Sequence, residues 1–144
     1  MTYLDTNVLL YAIFKDEKYG RVCARILEAI ESKRLKVGSS SLVLVEVMGA
    51  LRKWNGTQRR GRKPTIDVTK NIEAILSLPI VWFDLTVYVV ERANGYDYPI
   101  QTADCIHLAT ADLQGMSGIL TADQGFDSAA AVAKRIDPLD WSGS

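Results

Sequence analysis

Short apolar runs of strand length alternate with helix-length amphipathic segments along the whole chain, and that alternation restricts the fold more than any other feature. Thr2–Leu4, Leu35–Val37, Ile80–Phe83 and the stretches centred on Ile119-Leu120 and on Ile136 read as strands. Val8–Phe14 forms a helical turn or two, and Val22, Cys23, Ile26, Leu27 and Ile30 recur at helical spacing within Tyr19–Lys33. Ser39, Ser40 and Ser41 offer capping oxygens to a helix from Leu42 to about Trp54. Thr65 opens a helix with Ile72, Ile75 and Leu76 on one face, ending before Pro79. Thr86 to about Asn94 is helical, and Thr102 caps a helix over Ala103–Leu113. A short helix is expected through Ala129–Ala133, whereas Asn55–Pro64, with Gly56, Gly61 and Pro64 among basic residues, reads as a loop or extended arm. The order predicts a single domain over residues 1–144, a three-layer α/β/α sandwich around a mostly parallel sheet of four to five strands.

Four acids occupy telling places on this frame. Asp5 follows the first strand directly, Glu46 lies inside Leu42–Met48, Asp104 precedes Cys105–Ala109, and Asp123 follows Gly118–Ala122. Sites on sheets of this kind form outside the carboxyl ends of the strands. Asp5 and Asp123 follow strands, while Glu46 and Asp104 sit near helix starts, so all four fall toward one edge. A carboxylate cluster suits Mg²⁺ or Mn²⁺, which prefer oxygen ligands. Each acid also has an ordinary explanation: Asp5 as a helix cap, Asp104 at a helix dipole, Glu46 on a solvated face, Asp123 and Asp127 as turn formers. Thr6, Asn7, Ser41 and Thr121 are candidate supports for ligands or bound water, with capping an equal account of Ser41. His107, on the same side of its helix as Asp104, fits a packed or capping role better than that of a base, since no nucleophile or second ligand accompanies it.

Seventeen basic residues balance seventeen acidic ones. With four acids committed to one site, the remaining surface carries a positive excess. Arg52, Lys53, Arg59, Arg60, Arg62 and Lys63 fall in one stretch with no acid before Asp67. They form a local basic patch on a neutral protein, with a solvated, mobile loop as the plainer account of the segment. Cys23 and Cys105 are not spaced as a zinc cluster and lack nucleophile surroundings, which favours a reduced, cytoplasmic setting and disfavours covalent catalysis. No stretch approaches the ~20 apolar residues of a membrane span.

The ordered set Asp5-Thr6-Asn7, Ser41 to Glu46, Asp104-Cys-Ile-His-Leu-Ala-Thr-Ala111 and Leu120-Thr-Ala-Asp-Gln-Gly-Phe126 resembles the PIN-domain ribonucleases, among them the VapC-type toxins of toxin–antitoxin pairs. The likeness spans about the whole chain. It implies Mg²⁺- or Mn²⁺-dependent hydrolysis of RNA by an activated water, leaving 5′-phosphate and 3′-hydroxyl ends. Asp5, Glu46, Asp104 and Asp123 match the family's acidic positions, and Thr6 its usual hydroxyl neighbour. Many members place an Asp directly before the Phe of the last motif, where this chain has Gly125, so Asp123 serves as the fourth acid, with Asp127 as a helper. The resemblance also implies a homodimer and a small antitoxin that blocks the acidic cleft, and it makes Arg52, Lys53, Arg59, Arg60, Arg62 and Lys63 candidates for holding RNA phosphates, with Trp54 as a stacking surface for unpaired bases.

Two other classes remain in view. A haloacid-dehalogenase-like phosphatase also begins with a strand and an Asp, but it needs a second Asp where this chain has Asn7. A non-catalytic nucleic-acid or protein-binding module on the same fold would keep the basic stretch without requiring the acids.

Overall fold

The computed structural model describes residues 1–143. Five strands, β1 (Thr2–Leu4), β2 (Val37–Ser40), β3 (Ile80–Phe83), β4 (Gly118–Leu120) and β5 (Lys134–Ile136), form one sheet. Their order is β3-β2-β1-β4-β5 and every neighbouring pair is parallel. The chain builds outward from β1 to β3, then crosses back to lay β4 and β5 on the other side of β1. The reversal falls between β1 and β4, and a crevice opens at the carboxyl ends of strands at such a point.

Helices α1 (Thr6–Phe14), α2 (Gly20–Glu31), α3 (Ser41–Arg60) and α4 (Val68–Ser77) arise in the first half, and α5 (Val87–Asn94) and α6 (Thr102–Leu113) between β3 and β4. Alternation along the strands separates two cores. Leu4 and Leu120 join Val8, Leu9, Ile26, Val43, Val47 and Leu51 in one. Tyr3 and Ile119 join Leu108, Met116 and Phe126 in the other. The predicted sandwich is therefore present, with an all-parallel sheet of five strands.

Several expected boundaries move. The second strand is Val37–Ser40 rather than Leu35–Val37, because Gly38 and Ser39 pair with β1 and β3 and the Ser39 hydroxyl donates to the Leu4 carbonyl at 2.7 Å. The cap of α3 is Ser40, whose hydroxyl oxygen accepts from the Leu42 N–H at 3.1 Å. Thr102 is the first residue of α6 rather than its cap. The helix expected at Ala129–Ala133 is instead a 3₁₀ segment, Gln124–Ala129, capped by Asp123.

The largest correction concerns the expected arm at 55–64. Helix α3 runs unbroken through Asn55 and Gly56 to Arg60. Asn55 is 3 % exposed and clasps the returning chain, donating to the Ile66 carbonyl at 2.7 Å and accepting from the Ile66 N–H at 2.8 Å. That clasp lets a helix continue across a glycine, which by itself costs about 1 kcal/mol relative to alanine. It also postpones the next helix to Val68, capped by Asp67 rather than begun at Thr65. Replacing Asn55 with Ala strands a donor and an acceptor of Ile66, and roughly 2 kcal/mol of stability should be lost. Urea unfolding should record this as a lower midpoint at unchanged m-value; an unshifted midpoint would show that the clasp contributes nothing.

Candidate active site at the carboxyl edge of the sheet

Asp5 leaves β1 with its backbone N–H donating to the Leu120 carbonyl at 3.2 Å, which pins it beside β4 at the reversal of strand order. Its side chain points into the structure, 5 % exposed. A charge so buried requires partners, and three groups provide them. The Thr6 N–H donates to Oδ1 at 2.8 Å, the Thr121 hydroxyl to Oδ2 at 2.7 Å and the Asn7 amide to Oδ2 at 3.3 Å. The same Asn7 amide reaches the Thr121 hydroxyl at 2.8 Å, while its carbonyl accepts from the Ala122 N–H at 3.2 Å. The Thr121 oxygen also accepts from the Asp123 N–H at 3.0 Å. Asn7 and Thr121 thus lace the end of β1 to the end of β4 and set where Asp123 stands. Asp5 is both the cap of α1 and part of this lattice.

A second cluster meets the first at His107, which is 1 % exposed. Its Nδ1 lies 2.6 Å from the Tyr3 hydroxyl and its Nε2 lies 2.5 Å from Glu46 Oε1 and 3.7 Å from Asp5 Oδ1. The Tyr3 oxygen accepts from the Ser40 N–H at 3.1 Å, and Glu46 Oε1 also accepts from the Thr6 hydroxyl at 2.8 Å. Burial alone lowers the pKa of His107, but the bond to Glu46 and the charges of Asp5, Glu46 and Asp104 outweigh it and hold the ring above its ordinary value. Burial likewise raises Glu46, yet the bond and charge of His107 and the Thr6 hydroxyl bring it below the usual carboxylate range. The result is an ion pair between layers, with Nε2 as the donor. His107 is packed, as expected, but it is also the hub that sequence reasoning passed over. It is the chain's one histidine, and it is the group that Glu46, set among Leu, Val and Met, meets.

Asp104, on the first turn of α6, is half-buried, and its pKa is pushed up to about 6 by burial first and then by the charges of Asp123 and Asp5. Asp5 too is raised, by burial foremost, with Glu46 adding repulsion while His107, Thr121 and Thr6 pull back. Repulsion therefore links the four acids in series, Asp104 with Asp123 and Asp5, and Asp5 with Glu46. Among the described residues, none of them is bridged by lysine or arginine. Nor, among the described residues, do three His, Cys, Asp or Glu side chains close to ligand spacing around a single point. A cage of that kind is not what the smaller hard cations use: Mg²⁺ keeps several waters and takes one or two carboxylates together with substrate phosphate. The donor set fits such an ion in its chemistry.

Other expected supports divide. Thr6, Asn7 and Thr121 touch the acids as described, but the Ser41 oxygen accepts from the Leu85 N–H at 3.2 Å and so braces the start of the β3–α5 connection. Asp127 is taken up by Arg135, with contacts of 2.9 and 3.3 Å, and that guanidinium lowers its pKa. Asp123 keeps a turn-forming role as well, accepting from the Gly125 N–H at 2.9 Å; a Cβ at Gly125 would stand 3.1 Å from its Oδ1. Arg52, Lys53, Arg59 and Arg60 are exposed on α3, and Arg62 and Lys63 are exposed just beyond it. Trp54, 41 % exposed, rests on Phe14 with ring centroids 5.2 Å apart. Among the described residues, no helix is long and apolar enough to cross a membrane.

Comparison with known proteins gives the same frame. Residues 2–132 match the PIN domain family. Solved structures with this fold include a toxin–antitoxin complex from Klebsiella pneumoniae, at 22% identity over 96% of this chain and 98% of that one, with a TM-score of 0.63. A second is VapBC2 from Rickettsia felis bound to a DNA fragment from its promoter, at 18% identity, 94% and 98% coverage and a TM-score of 0.64. A third is Mycobacterium tuberculosis VapC20, a sarcin–ricin loop cleaving toxin, at 20% identity, 90% and 95% coverage and a TM-score of 0.68. No curated protein matches the chain in sequence. With the family matched over nearly all of its length and the acids gathered where its sheet reverses, this chain belongs to the PIN-domain family.

Proposed function

We propose that the chain is a divalent-metal-dependent endoribonuclease, and the toxin of a toxin–antitoxin pair, that hydrolyses RNA phosphodiesters with an activated water. The observation that carries this reading is crowding of acids that the chain's own cations do not fully offset. His107 balances Glu46 and offsets only part of the burden on Asp104, which is held up to about 6 by burial and by Asp123 and Asp5. Repulsion stored at an open crevice is the condition a hard cation removes. Asp5, Asp104 and Asp123 are the ligands in this proposal, with Glu46 beside them. A divalent ion bound there supplies a lowered pKa for water, a template for in-line attack and neutralisation of the leaving oxygen.

The chain's own residues do the rest. Thr6, Asn7 and Thr121 hold the Asp5 carboxylate in one orientation from both sides of the switch point. His107 holds Glu46 by donating from Nε2 to Oε1. The basic run from Arg52 to Lys63 supplies the positive field that draws in a polyanion. The three structural relatives support the biological assignment, since one is a toxin–antitoxin complex, one is VapBC2 on promoter DNA and one is a sarcin–ricin loop cleaving toxin. A small antitoxin and a second copy of the chain are the partners this reading expects.

Incubation of the purified chain with unstructured RNA should give cleavage in Mg²⁺ or Mn²⁺ and none in chelator. Asp5→Asn should lower the rate about 100-fold or more, and Thr121→Val, which removes the hydroxyl that orients Asp5 and receives the Asp123 N–H, about 10-fold. RNA binding without cleavage under every metal condition would leave a non-catalytic binding module and refute the enzyme.

The crowding also has a thermodynamic signature. Because the folded pKa of Asp104 stands at about 6, above its ordinary value, the folded chain binds more protons than the unfolded one between those two values, and stability falls as pH rises through that window. In the absence of divalent ions, Asp104→Asn should therefore be more stable than the native chain at pH 7, with the difference shrinking toward pH 4. Added Mg²⁺ should raise the melting temperature of the native chain more than that of the variant. A variant less stable than native at pH 7 would show that Asp104 is not under repulsion.

A further inference from the structure

We propose that single-stranded RNA runs from the acid site along one flank of α3, with Lys53 and Arg60 holding its phosphates, and that Arg52 and Arg59 lie off this path. The inference rests on the ribonuclease reading and adds the track of the substrate to it.

The direction of α3 comes from two contacts. At one end the Thr6 hydroxyl donates to Glu46 at 2.8 Å; at the other, Phe14 packs on Trp54. Eight residues separate each pair along both α1 and α3. The two helices therefore run side by side in the same sense, both leading away from the acids. The rotation of α3 is fixed by its buried residues, Val43, Val47, Leu51 and Asn55. At ~100° per residue, positions 7, 11 and 14 beyond Glu46 return to its own flank, and these are Lys53, Thr57 and Arg60. Hydrogen bonds agree: the Thr57 hydroxyl donates to the Lys53 carbonyl at 3.3 Å, and Arg60 Nη2 donates to the Thr57 hydroxyl at 3.4 Å. Arg52 and Arg59 fall about 120–140° away, on the far side of the helix.

Distance and accessibility then select the flank. With a rise of 1.5 Å per residue, Lys53 and Arg60 stand about 10 and 21 Å along the axis from Glu46. All four side chains are exposed, and among the described residues none is held in an ion pair. A strand with one phosphate at the acids reaches Lys53 and Arg60 by following the helix. To reach Arg52 or Arg59 it must cross a rod about 10–12 Å wide. The Asn55 clasp keeps the far end of α3 from moving as a free arm, so the spacing is rigid. Asp5 is recessed below the surface, and a flexible single strand can bend a phosphate toward it more readily than a duplex can.

The test uses the full chain carrying Asp5→Asn, chosen to suppress cutting, and labelled oligouridylates of about 4 and about 12 nucleotides. Affinity is measured against salt for this protein and for two further double variants made in it, Lys53→Ala/Arg60→Ala and Arg52→Ala/Arg59→Ala. Both pairs remove the same charge. The first should abolish the advantage of the longer oligomer and reduce the salt slope by about 1.4, two single-strand phosphates at roughly 0.7 each. The second should keep the length advantage. Equal losses for the two pairs would overturn the track. Cleavage by the native chain is scored separately: cleavage with indistinguishable pairs sinks this inference alone, whereas the expected binding pattern with no cleavage in any metal sinks the ribonuclease reading and leaves the track standing. Matching melting temperatures for the variants confirm that the folds compare.

Discussion

Asp5 is a carboxylate sealed at the end of the central strand, with hydrogen-bond donors around it and, among the described residues, no lysine or arginine bridging it. Keeping such a group out of water is costly unless donors are fixed in place, and those donors come from three points of the chain: Thr6, Asn7 and Thr121. The last lies 116 residues away, so the arrangement exists only when β1 and β4 are neighbours. The strand order and the chemistry of the crevice are thus two consequences of one requirement.

Above that edge the two helical layers meet through Glu46 and His107. Glu46 comes from α3 in the first half of the chain and His107 from α6 in the second. Their charges balance, which fixes Glu46, while Asp104 stays crowded by Asp123 and Asp5 with only a partial offset from His107. A protein gains nothing in stability from this arrangement. It is consistent with a site where function has set the electrostatics at the expense of folding energy.

Much of this was legible from residue order. The alternation of strands and helices gave the sandwich, and acids placed after apolar strands pointed to the correct edge of the sheet. Boundaries were missed where tertiary contacts overrode local preference. Gly56 and the run of arginines argued against a helix, yet Asn55 reaching across to Ile66 carries α3 to Arg60. The serines before α3 looked alike, but Ser39 joins β2, Ser40 caps the helix and Ser41 braces Leu85. Asp127 was placed near the acids by its position in the chain, while Arg135, eight residues on, claims it.

The sequence by itself determined which segments become strands and helices and that each acid would stand at a strand exit or helix start, because periodicity and capping act over a few residues. Only the tertiary structure decided that β1 lies at the centre of the sheet, that Glu46 pairs with a histidine 61 residues away, and which flank of α3 continues from the acids. Those outcomes depend on burial and charge compensation between distant segments, which local sequence does not encode.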